Sequence, residues 1–306
     1  MISVVRLQIN MKKTPLISVV IPSYKHGHLI GRAIQSVVDQ SFSNWEVLIV
    51  DNHSVDNTDE VVVGFTDPRI KLLKIHNNGV IAASRNMGIR EASGEYVAFL
   101  DSDDWWKPEK LQSCLDKITP DVNLVHHDLE IVGAKSFGIF IKKIKSRKLK
   151  SPTTVDLLIN GNSVATSSVI VRRELLNKIG GMNENLAMSA AEDYHTWLLI
   201  SQLPGLFKYV EKTLGYYLVH AQGVSQKDMS KPMMSAVSAF LPLLNHGQKN
   251  MVMGRIIYAR ARFLYLKGRR SWLTRHLCYC LKFGDFEIKL KALAMILVIQ
   301  TKKIIG

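Results

Sequence analysis

The most constraining stretch of this chain runs from Tyr96 to Trp106 and reads YVAFLDSDDWW. Its first five residues, through Leu100, favour a fully buried β-strand. That strand runs directly into an acidic cluster, Asp101, Ser102, Asp103 and Asp104. An apolar strand that ends in acids places carboxylates at the carboxyl edge of a sheet, where open α/β sheets bind ligands. The stretch therefore predicts a ligand site at that edge.

The spacing of Asp101 and Asp103 suggests a bound cation. In an extended chain, two residues at this spacing point to the same side. Carboxylates that close repel each other unless a cation lies between them, and their oxygens suit Mg²⁺ or Mn²⁺. The alternative is an acidic turn that caps a helix beginning near Pro108, because Asp is favoured as a cap and Pro in a first turn. The D-x-D pattern alone does not decide between the two.

The residues before this cluster alternate between strand patterns and helix patterns, which implies right-handed crossovers and a parallel sheet. Asp51 and Asp101 each follow a strand, so both should lie on one rim of that sheet. The chain contains neither G-x-G-x-x-G nor G-x-x-x-x-G-K-[ST], so a metal on Asp101 and Asp103 is the available phosphate holder. The predicted strands are 17–21, 46–50, 70–75 and 96–100, and the predicted helices are 29–40, 56–65 and 81–92.

After the acidic cluster the patterns continue with less regularity. A helix opens near Ser189 with Glu192 and Asp193 in its first turns, where the helix dipole alone favours acids. A strand then leads to His220. The predicted strands are 122–125 and 210–219, and the predicted helices are 108–118, 155–159 and 174–179.

Charge is concentrated in two parts of this chain of 306 residues, whose net charge is +14. From Lys249 onward there are thirteen Lys or Arg against Asp285 and Glu287, a net of +11. Lys135 to Lys150 carries seven basic residues and no acid, and it is predicted to be a loop or hairpin. The uncharged apolar run 292–301 has about half of the roughly 20 residues that a membrane-spanning helix needs. A segment lying on a membrane is compatible with this sequence, whereas a spanning one is not expected.

Three segments of the chain carry a family resemblance: ISVVIPSYKHGHLIGRAIQSVVDQSFSNWEVLIVDNHSVDNT, NNGVIAASRNMGIREASGEYVAFLDSDDWWKPEKL, and GGMNENL followed by AEDYHTW. Together they resemble glycosyltransferase family 2, over roughly Ile17 to His220. The resemblance implies an α/β protein of the GT-A (Rossmann-like) fold, with a mostly parallel sheet flanked by helices and here a C-terminal helical appendage. It also implies an inverting transferase with a nucleoside diphosphate sugar as donor, UDP as the expected carrier, and Mn²⁺ or Mg²⁺. The acceptor would be a glycan or a lipid-linked molecule in cell-surface polysaccharide synthesis.

The resemblance also implies roles for residues that match the family's motifs. Asp193 stands where the base of inverting members lies, with Glu192 beside it. Asn52 and His53 depart from the pattern, since an acid and a glycine are common there, so the shape of the base pocket is open. The nucleotide side comprises Pro22, Ser23 and Tyr24 around the base, Asp51 on the base, Arg85 near the nucleotide, Asp101 at the ribose, Asp103 on the metal and His220 at the diphosphate.

Each of these residues also has a structural interpretation. Asp51 is suited to capping a turn, Arg85 to pairing with Glu91 or another carboxylate, and His220 to an ordinary surface position. Two other function classes fit parts of the sequence: a non-catalytic binder of anionic polymer or membrane surface, and a sugar nucleotidyltransferase. A Q-x-x-R-W element is absent, so a non-processive enzyme is expected, and nucleic acid is not expected as a partner.

The sequence divides into a leader (1–14), a catalytic domain (15–225) and a basic helical region (226–306). Residues 15–107 are the expected nucleotide-binding half of the catalytic domain, and residues 108–225 the acceptor half. Three cysteines without CxxC spacing favour a reducing, cytoplasmic location. Arg255, Arg262 and Arg269 recur every seven residues and predict a basic helical stripe. Such a stripe suits the anionic inner face of the plasma membrane; the alternative is a helical appendage packed on the catalytic domain. The sequence does not indicate an oligomeric state.

Overall fold

A nine-stranded sheet lies at the centre of the fold in a computed structural model that describes residues 15–133, 143–220, 227–269 and 272–305. Side chains are described as far as residue 301. The expected leader, residues 1–14, lies outside the described residues. So do residues 134–142, which belong to the predicted basic loop or hairpin.

The first half of the sheet is parallel. Strands β1 (Ile17–Ser23), β2 (Trp45–Asp51), β3 (Ile70–Lys74) and β4 (Tyr96–Phe99) run in the order β3-β2-β1-β4. Helices α1 (Gly27–Val38), α2 (Thr58–Val63) and α3 (Ile81–Glu91) connect them. Every residue of β1, β2 and β4 is buried, as expected for parallel strands covered on both faces. The predicted alternation of strands and helices is confirmed.

Helix α3 lies unusually close to β1 because it carries Gly88. A Cβ atom on Gly88 would lie 2.4 Å from Val20 Cγ1, a separation that real Cβ atoms do not show. Only glycine therefore permits this approach of helix and strand. Arg85 lies one helical turn earlier on α3, so the close packing also fixes its position beside the rim of the sheet.

The second half of the sheet makes it mixed overall. Strand β8 (Ile170–Arg172) is antiparallel to both β4 and β6 (Val122–Val132), and β9 (Leu206–Leu218) is parallel to β6. Two short strands, β5 (Trp105–Trp106) and β7 (Lys143–Ile144), pair antiparallel with β9 and β6. Strands β6 and β9 extend beyond the predicted 122–125 and 210–219, because their polar residues are paired within the sheet. The full order is β3-β2-β1-β4-β8-β6-β9-β5.

Helices cover the second half of the sheet and form the C-terminal region. Leu186–Met188 and Thr166–Ser168 are 3₁₀ turns, and a third covers Ser238–Leu243. The helices are α4 (Lys110–Leu115), α5 (Thr153–Asn160), α6 (Arg173–Lys178), α7 (Glu192–Ser201), α8 (Ser230–Val237), α9 (His246–Leu266), α10 (Leu273–Phe283) and α11 (Phe286–Ile305).

The C-terminal helices belong to two hydrophobic cores. Val237 of α8 and Val252 and Ile256 of α9 join the core that also contains Phe99 and Trp197. Beyond Ile256, the end of α9 packs with α10 and α11 in a smaller core of its own. Its buried members are Ala261, Leu264, Leu273, Leu277, Cys280, Ile288 and Ala292. The C-terminal region is therefore anchored in the catalytic domain through α8 and the first half of α9.

The expected stripe of exposed arginines does not form. Arg255 is only 13% exposed; it pairs with Asp285 at 2.6 Å, and its Nε donates to the Ile159 carbonyl at 2.8 Å. Arg269 lies beyond the end of α9, after Gly268 with a φ of +66°. The heptad spacing predicted that these residues share one exposed helical face. Arg255 is instead held in an ion pair, and Arg269 lies beyond the end of the helix. Among the described residues, no helix combines the length and apolarity required to cross a membrane.

Candidate active site

Asp51 ties together three loops at the rim of the parallel strands. It is fully buried at the end of β2, where it is in register with Ser23 of β1. The Ser54 N–H and hydroxyl donate to its carboxylate at 2.8 and 2.6 Å, and Lys74 Nζ donates at 2.9 Å. Ser54 Oγ in turn accepts from the Lys25 N–H at 2.7 Å. The Asp51 carboxylate therefore fixes the loop that follows β1 against the ends of β2 and β3.

The loop after β1 leaves polar and aromatic groups at this rim. Pro22 and Ser23 are buried, whereas Tyr24 is half-exposed. Ser23 Oγ is buried and has no hydrogen-bond partner among the described residues, which is costly unless a ligand supplies one. His53 lies two residues after Asp51, and its ring stacks on the ring of His76 with the centroids 3.8 Å apart. The rim therefore offers an unpartnered hydroxyl and aromatic rings, which are groups that suit a planar polar ligand.

Arg85 connects the two halves of the sheet through a buried ion-pair network. Its Nη2 donates to Asp101 Oδ1 and its Nη1 to Glu192 Oε1, both at 2.7 Å. Burial lowers the pKa of Arg85, but the charges of Asp101 and Glu192 outweigh burial and raise the pKa above its ordinary value. The alternative partner Glu91 is not used. Arg85 Nε and Glu192 Oε2 are buried without a partner among the described residues.

The chain turns immediately after Asp101. The Asp104 N–H donates to the Asp101 carbonyl at 3.0 Å, which closes a tight turn. Asp101 then pairs with Arg85, while Asp103 Oδ2 lies 3.0 Å from His220 Nε2. The same-side expectation for Asp101 and Asp103 assumed an extended chain, and the chain is not extended here. The turn directs each carboxylate to a different partner.

Asp103 has the electrostatics of a cation ligand. Burial and the charge of Asp101 raise the pKa of Asp103, while His220 and His26 act in the opposite direction. Among the described residues, no three His, Cys, Asp or Glu side chains are gathered as a metal-binding cluster. One or two carboxylates nevertheless suffice for Mg²⁺ when substrate phosphates and water supply the other ligands. Asp103, with Asp101 nearby, fits a cation that binds together with a substrate diphosphate.

Asp193 is partly exposed at the start of α7, next to Glu192. Thr166 Oγ1 donates to its Oδ2 at 3.0 Å, and the Tyr194 N–H donates to its Oδ1 at 2.6 Å. Burial and the charge of Glu192 raise the pKa of Asp193 to about 6, although Arg85 opposes them. A fixed carboxylate with this pKa is charged at neutral pH and accepts a proton more readily than an ordinary aspartate.

Sequence reasoning did not single out two further residues that lie near these acids, Asp104 and Tyr217. Asp104 is buried, and it accepts hydrogen bonds from Ser167 Oγ at 2.6 Å and from the Leu218 N–H at 3.0 Å. It thereby fastens the acidic turn to the end of β9. Tyr217 lies on β9 beside Leu218. Burial together with the charges of Asp104, Asp101 and Asp103 raises the pKa of the Tyr217 hydroxyl. Asp104 could have been found from the sequence, because it is the third acid of the D-S-D-D cluster. No sequence pattern pointed to Tyr217.

An aromatic stack supports the acidic turn from its outer side. The Arg32 guanidinium lies 3.4 Å from the Trp105 ring centroid, and Trp105 stacks on Tyr216 with centroids 4.8 Å apart. Arg32 Nη2 also donates to the Asp103 carbonyl at 3.0 Å. Trp105 is thereby held between α1 and β9, which limits the freedom of the turn that carries Asp103.

The structure brings most of the predicted site residues to one side of the sheet. Arg85 joins Asp101 to Glu192, and Asp193 follows Glu192 directly. Asp103 and His220 are in contact. Ser23 and Asp51 lie at the same carboxyl rim, because β1 pairs with both β2 and β4 in parallel.

Replacing Arg85 with methionine should destabilise the protein strongly, because Asp101 and Glu192 would lose their shared cation. We expect the free energy of unfolding in urea to fall by about 3–5 kcal/mol, the usual effect of breaking a buried ion pair. Arg90→Met, on the exposed face of the same helix, should change it by less than about 0.5 kcal/mol.

The double variant Arg85→Met/Glu192→Met should be more stable than Arg85→Met alone, because it also removes a buried carboxylate. If Arg85→Met were as stable as Arg90→Met, or if the second substitution gave no recovery, the network would not have this structural role.

Comparison with known proteins shows which family this chain belongs to. The family described as Glycosyl transferase family 2 matches residues 18–180, more than half of the chain. An Escherichia coli protein described as UDP-Glc:alpha-D-GlcNAc-diphosphoundecaprenol beta-1,3-glucosyltransferase WfgD is 34% identical over 186 residues, which cover 60% of this chain and 69% of that protein. The putative teichuronic acid biosynthesis glycosyltransferase TuaG of Bacillus subtilis is 42% identical over 104 residues, 33% of this chain and 41% of TuaG.

Among solved structures, residues 1–349 of S. aureus TarS, in complex with UDP-GlcNAc, superpose with a TM-score of 0.62 at 21% identity. The match covers 87% of this chain and 80% of the TarS chain. The likeness shows a shared fold and confirms the predicted GT-A fold. The matched motifs, the relatives and the shared fold together establish that this chain belongs to glycosyltransferase family 2.

Proposed function

We propose that this glycosyltransferase moves a sugar from a UDP-sugar to a lipid-linked glycan acceptor in cell-surface polysaccharide synthesis, with inversion at the anomeric carbon. The observation that carries the proposal is the Arg85 bridge from Asp101 to Glu192. It places Asp193 beside the acids that would hold the donor. The similarity to WfgD, which by its description uses UDP-Glc and a diphosphoundecaprenol-linked acceptor, supports the choice of carrier and acceptor class.

The donor would bind in the nucleotide-binding half, residues 15–107. Pro22, Ser23 and Tyr24 enclose the base, and the unpartnered Ser23 hydroxyl is available to it. Asp51 acts at this pocket chiefly by fixing its loops, since its carboxylate is already engaged by Ser54 and Lys74. Asp101 would accept from the ribose while its Oδ1 stays paired with Arg85.

The diphosphate would lie at Asp103 and His220. Asp103, with Asp101 beside it, would hold Mn²⁺ or Mg²⁺, which would act as a Lewis acid on the leaving diphosphate. His220, 3.0 Å from the Asp103 carboxylate, orients that carboxylate and lies where it can donate to a phosphate oxygen. The turn fastened by Asp104 keeps Asp103 in place during the reaction.

The acceptor would be activated by Asp193 in the acceptor half, residues 108–225. Its Oδ2, oriented by Thr166, takes the proton from the acceptor hydroxyl as that oxygen attacks the anomeric carbon. Glu192 remains paired with Arg85 and fixes the direction of the first turn of α7. Attack from the side of the sugar opposite the diphosphate is a single displacement, so it inverts the anomeric centre.

Helix α11 would hold the enzyme at the inner face of the plasma membrane. Ile288 and Ala292 are buried on the side of α11 that faces α9 and α10. On another side, Phe286, Leu290, Leu293 and Leu297 are 46–78% exposed. Their i, i+4, i+7, i+11 spacing aligns them on one face. A helix that is apolar on two sides normally has both sides buried against other groups. Nearby basic residues, including Lys289, favour an anionic lipid surface as the group that contacts the exposed side.

Asp193→Asn should abolish most turnover without loss of donor binding, because it removes the proton acceptor and keeps the shape. We expect kcat to fall at least about 100-fold, a typical contribution of a general base. The assay is UDP release from a panel of UDP-sugars with Mn²⁺ and an alkyl-diphosphate GlcNAc acceptor, with UDP affinity measured separately.

Asp116→Asn, an exposed substitution of the same kind, serves as the matched control and should keep wild-type kcat. NMR of the product should show the inverted anomer. Wild-type kcat in Asp193→Asn, or a retained anomer, would refute the role of Asp193. Failure of every sugar nucleotide to bind would refute the proposed function as a whole.

The rate should depend on pH through Asp193. Because its pKa is raised to about 6 and the carboxylate is the active form, kcat/KM should fall as pH drops through about 6 and be level above it. The charged groups that face the Asp193 carboxylate are Glu192, which raises its pKa, and Arg85, which lowers it. An acidic limb centred near the ordinary aspartate pKa of about 4 would show that Asp193 is not the titrating base.

Membrane binding should depend on the exposed face of α11. We expect the protein to float with vesicles that contain anionic lipid and to do so more weakly at high salt. Leu290→Gln/Leu293→Gln should remove flotation, whereas Val63→Gln, at an exposed apolar position on α2, should not. Equal flotation of the α11 variant and the wild type would exclude this face as the contact.

A further inference from the structure

A second cleft begins at Asp193 and extends away from the donor-side acids. It has a volume of about 550 Å³ and lies between the acceptor half and helices α9 and α11. Asn162 and Tyr194 line it next to Asp193, and Arg262 and Lys291 line the opposite wall. A molecule in this cleft would therefore have one end at the carboxylate that we assign as the base.

The two basic stretches of the sequence meet in this cleft. Its walls carry six basic side chains, Lys145, Arg147, Lys227, Arg255, Arg262 and Lys291, but only two acidic ones, Asp193 and Glu287. The cleft thus brings together cations from both basic stretches, although more than a hundred residues separate Lys145 from Arg255.

Three of these cations have no carboxylate partner in the part of the chain that the structure describes. Arg147 pairs with Asp156, Arg255 with Asp285, and Lys291 with Glu287. Within the ranges that the structure describes, no ion pair involves the side chain of Lys145, Lys227 or Arg262, all of which line the cleft. Like charges gathered without counter-ions destabilise a protein unless a ligand compensates them, so these three residues are suited to an anion.

The same cleft has an apolar wall. Met229 and Met233 contribute to it from α8 and the segment before it, and Phe263 and Leu266 contribute from the last turns of α9. Leu266 is 52% exposed, although it has apolar neighbours. A simple anion would make no favourable contact with the apolar wall, and a neutral glycan would not compensate the cations. Together they fit a molecule with a phosphate group and a hydrocarbon chain.

Helix α11 links this cleft to the exposed apolar face described above. Ile288 and Lys291 line the cleft, whereas Phe286, Leu290 and Leu293 lie on the adjacent side of the same helix. A hydrocarbon chain leaving the cleft past Ile288 would therefore pass directly to the surface that is suited to lipid.

We propose that this cleft is the acceptor site and that it binds an anionic amphiphile, a hydrocarbon chain joined through phosphate or diphosphate to the accepting sugar. Lys145, Lys227 and Arg262 hold the phosphate groups, and the Met229, Met233, Phe263 and Leu266 wall holds the chain. The sugar then reaches Asp193. This assignment rests on the proposed function only for the role of Asp193, because the binding chemistry follows from the cleft itself.

The test measures binding of farnesyl diphosphate by calorimetry, with the donor site filled by UDP. Inorganic pyrophosphate reports the anionic part alone and farnesol the apolar part alone. Farnesyl diphosphate should bind at least about tenfold more tightly than either, since both parts of the cleft contribute. Lys145→Gln/Arg262→Gln should weaken the binding of farnesyl diphosphate at least about tenfold, because charge-assisted hydrogen bonds are lost. Leu266→Gln should weaken the binding of farnesyl diphosphate but not that of pyrophosphate.

Lys282→Gln/Arg275→Gln, on α10 and away from the cleft, is the matched control and should bind as the wild type does. Unchanged affinity in Lys145→Gln/Arg262→Gln, equal loss in the control, or equal binding of pyrophosphate and farnesyl diphosphate would overturn the proposal. UDP affinity, measured on each variant, separates the two claims. If the cleft variants lose affinity for farnesyl diphosphate but the protein uses no sugar nucleotide, the assignment of the cleft would be supported and the proposed function refuted.

Discussion

The buried guanidinium of Arg85, shared by Asp101 and Glu192, is the interaction on which the site depends. It joins segments that lie 107 residues apart in the sequence. Burying one cation between two acids is favourable only when the geometry is good, and both contacts are 2.7 Å long. Close packing of α3 on β1 at Gly88 fixes the helix that carries Arg85. Glycine at one position and arginine a turn earlier thus determine where the two halves meet.

The cleft that results is rich in acids. The buried guanidinium of Arg85 lies close to the carboxylates of Asp101, Glu192 and Asp193, and Asp103 follows Asp101 in the same turn. The raised pKa values of Asp103 and Asp193 both reflect burial together with a neighbouring carboxylate. The same electrostatic condition suits the two different roles that we propose. At Asp103, it would favour a divalent cation bound with a diphosphate; at Asp193, it would give a carboxylate basic enough to accept a proton near neutral pH.

Local patterns in the sequence predicted the parallel half of the fold well. Periodicity located β1 to β4 and α1 to α3, and the rule that ligands bind at the carboxyl ends of strands put Asp51 and Asp101 on one rim. The sequence left a turn after Asp101 as one of two alternatives and did not decide between them, because the turn is held by Asp104 bonding to Ser167 and Leu218 far away in the chain. The burial of Arg85 and Arg255 was missed for the same reason. Their partners are set by tertiary packing, which helical spacing does not report.

In the proposed mechanism, donor and acceptor meet between Asp103 and Asp193. A crystal structure of the Asp193→Asn variant with an unhydrolysed UDP-sugar and Mn²⁺ would show whether they do. We expect the base at Ser23 and Tyr24, the metal on Asp103, and the anomeric carbon facing residue 193. Density for the nucleotide at another surface, or a sugar directed away from residue 193, would contradict it.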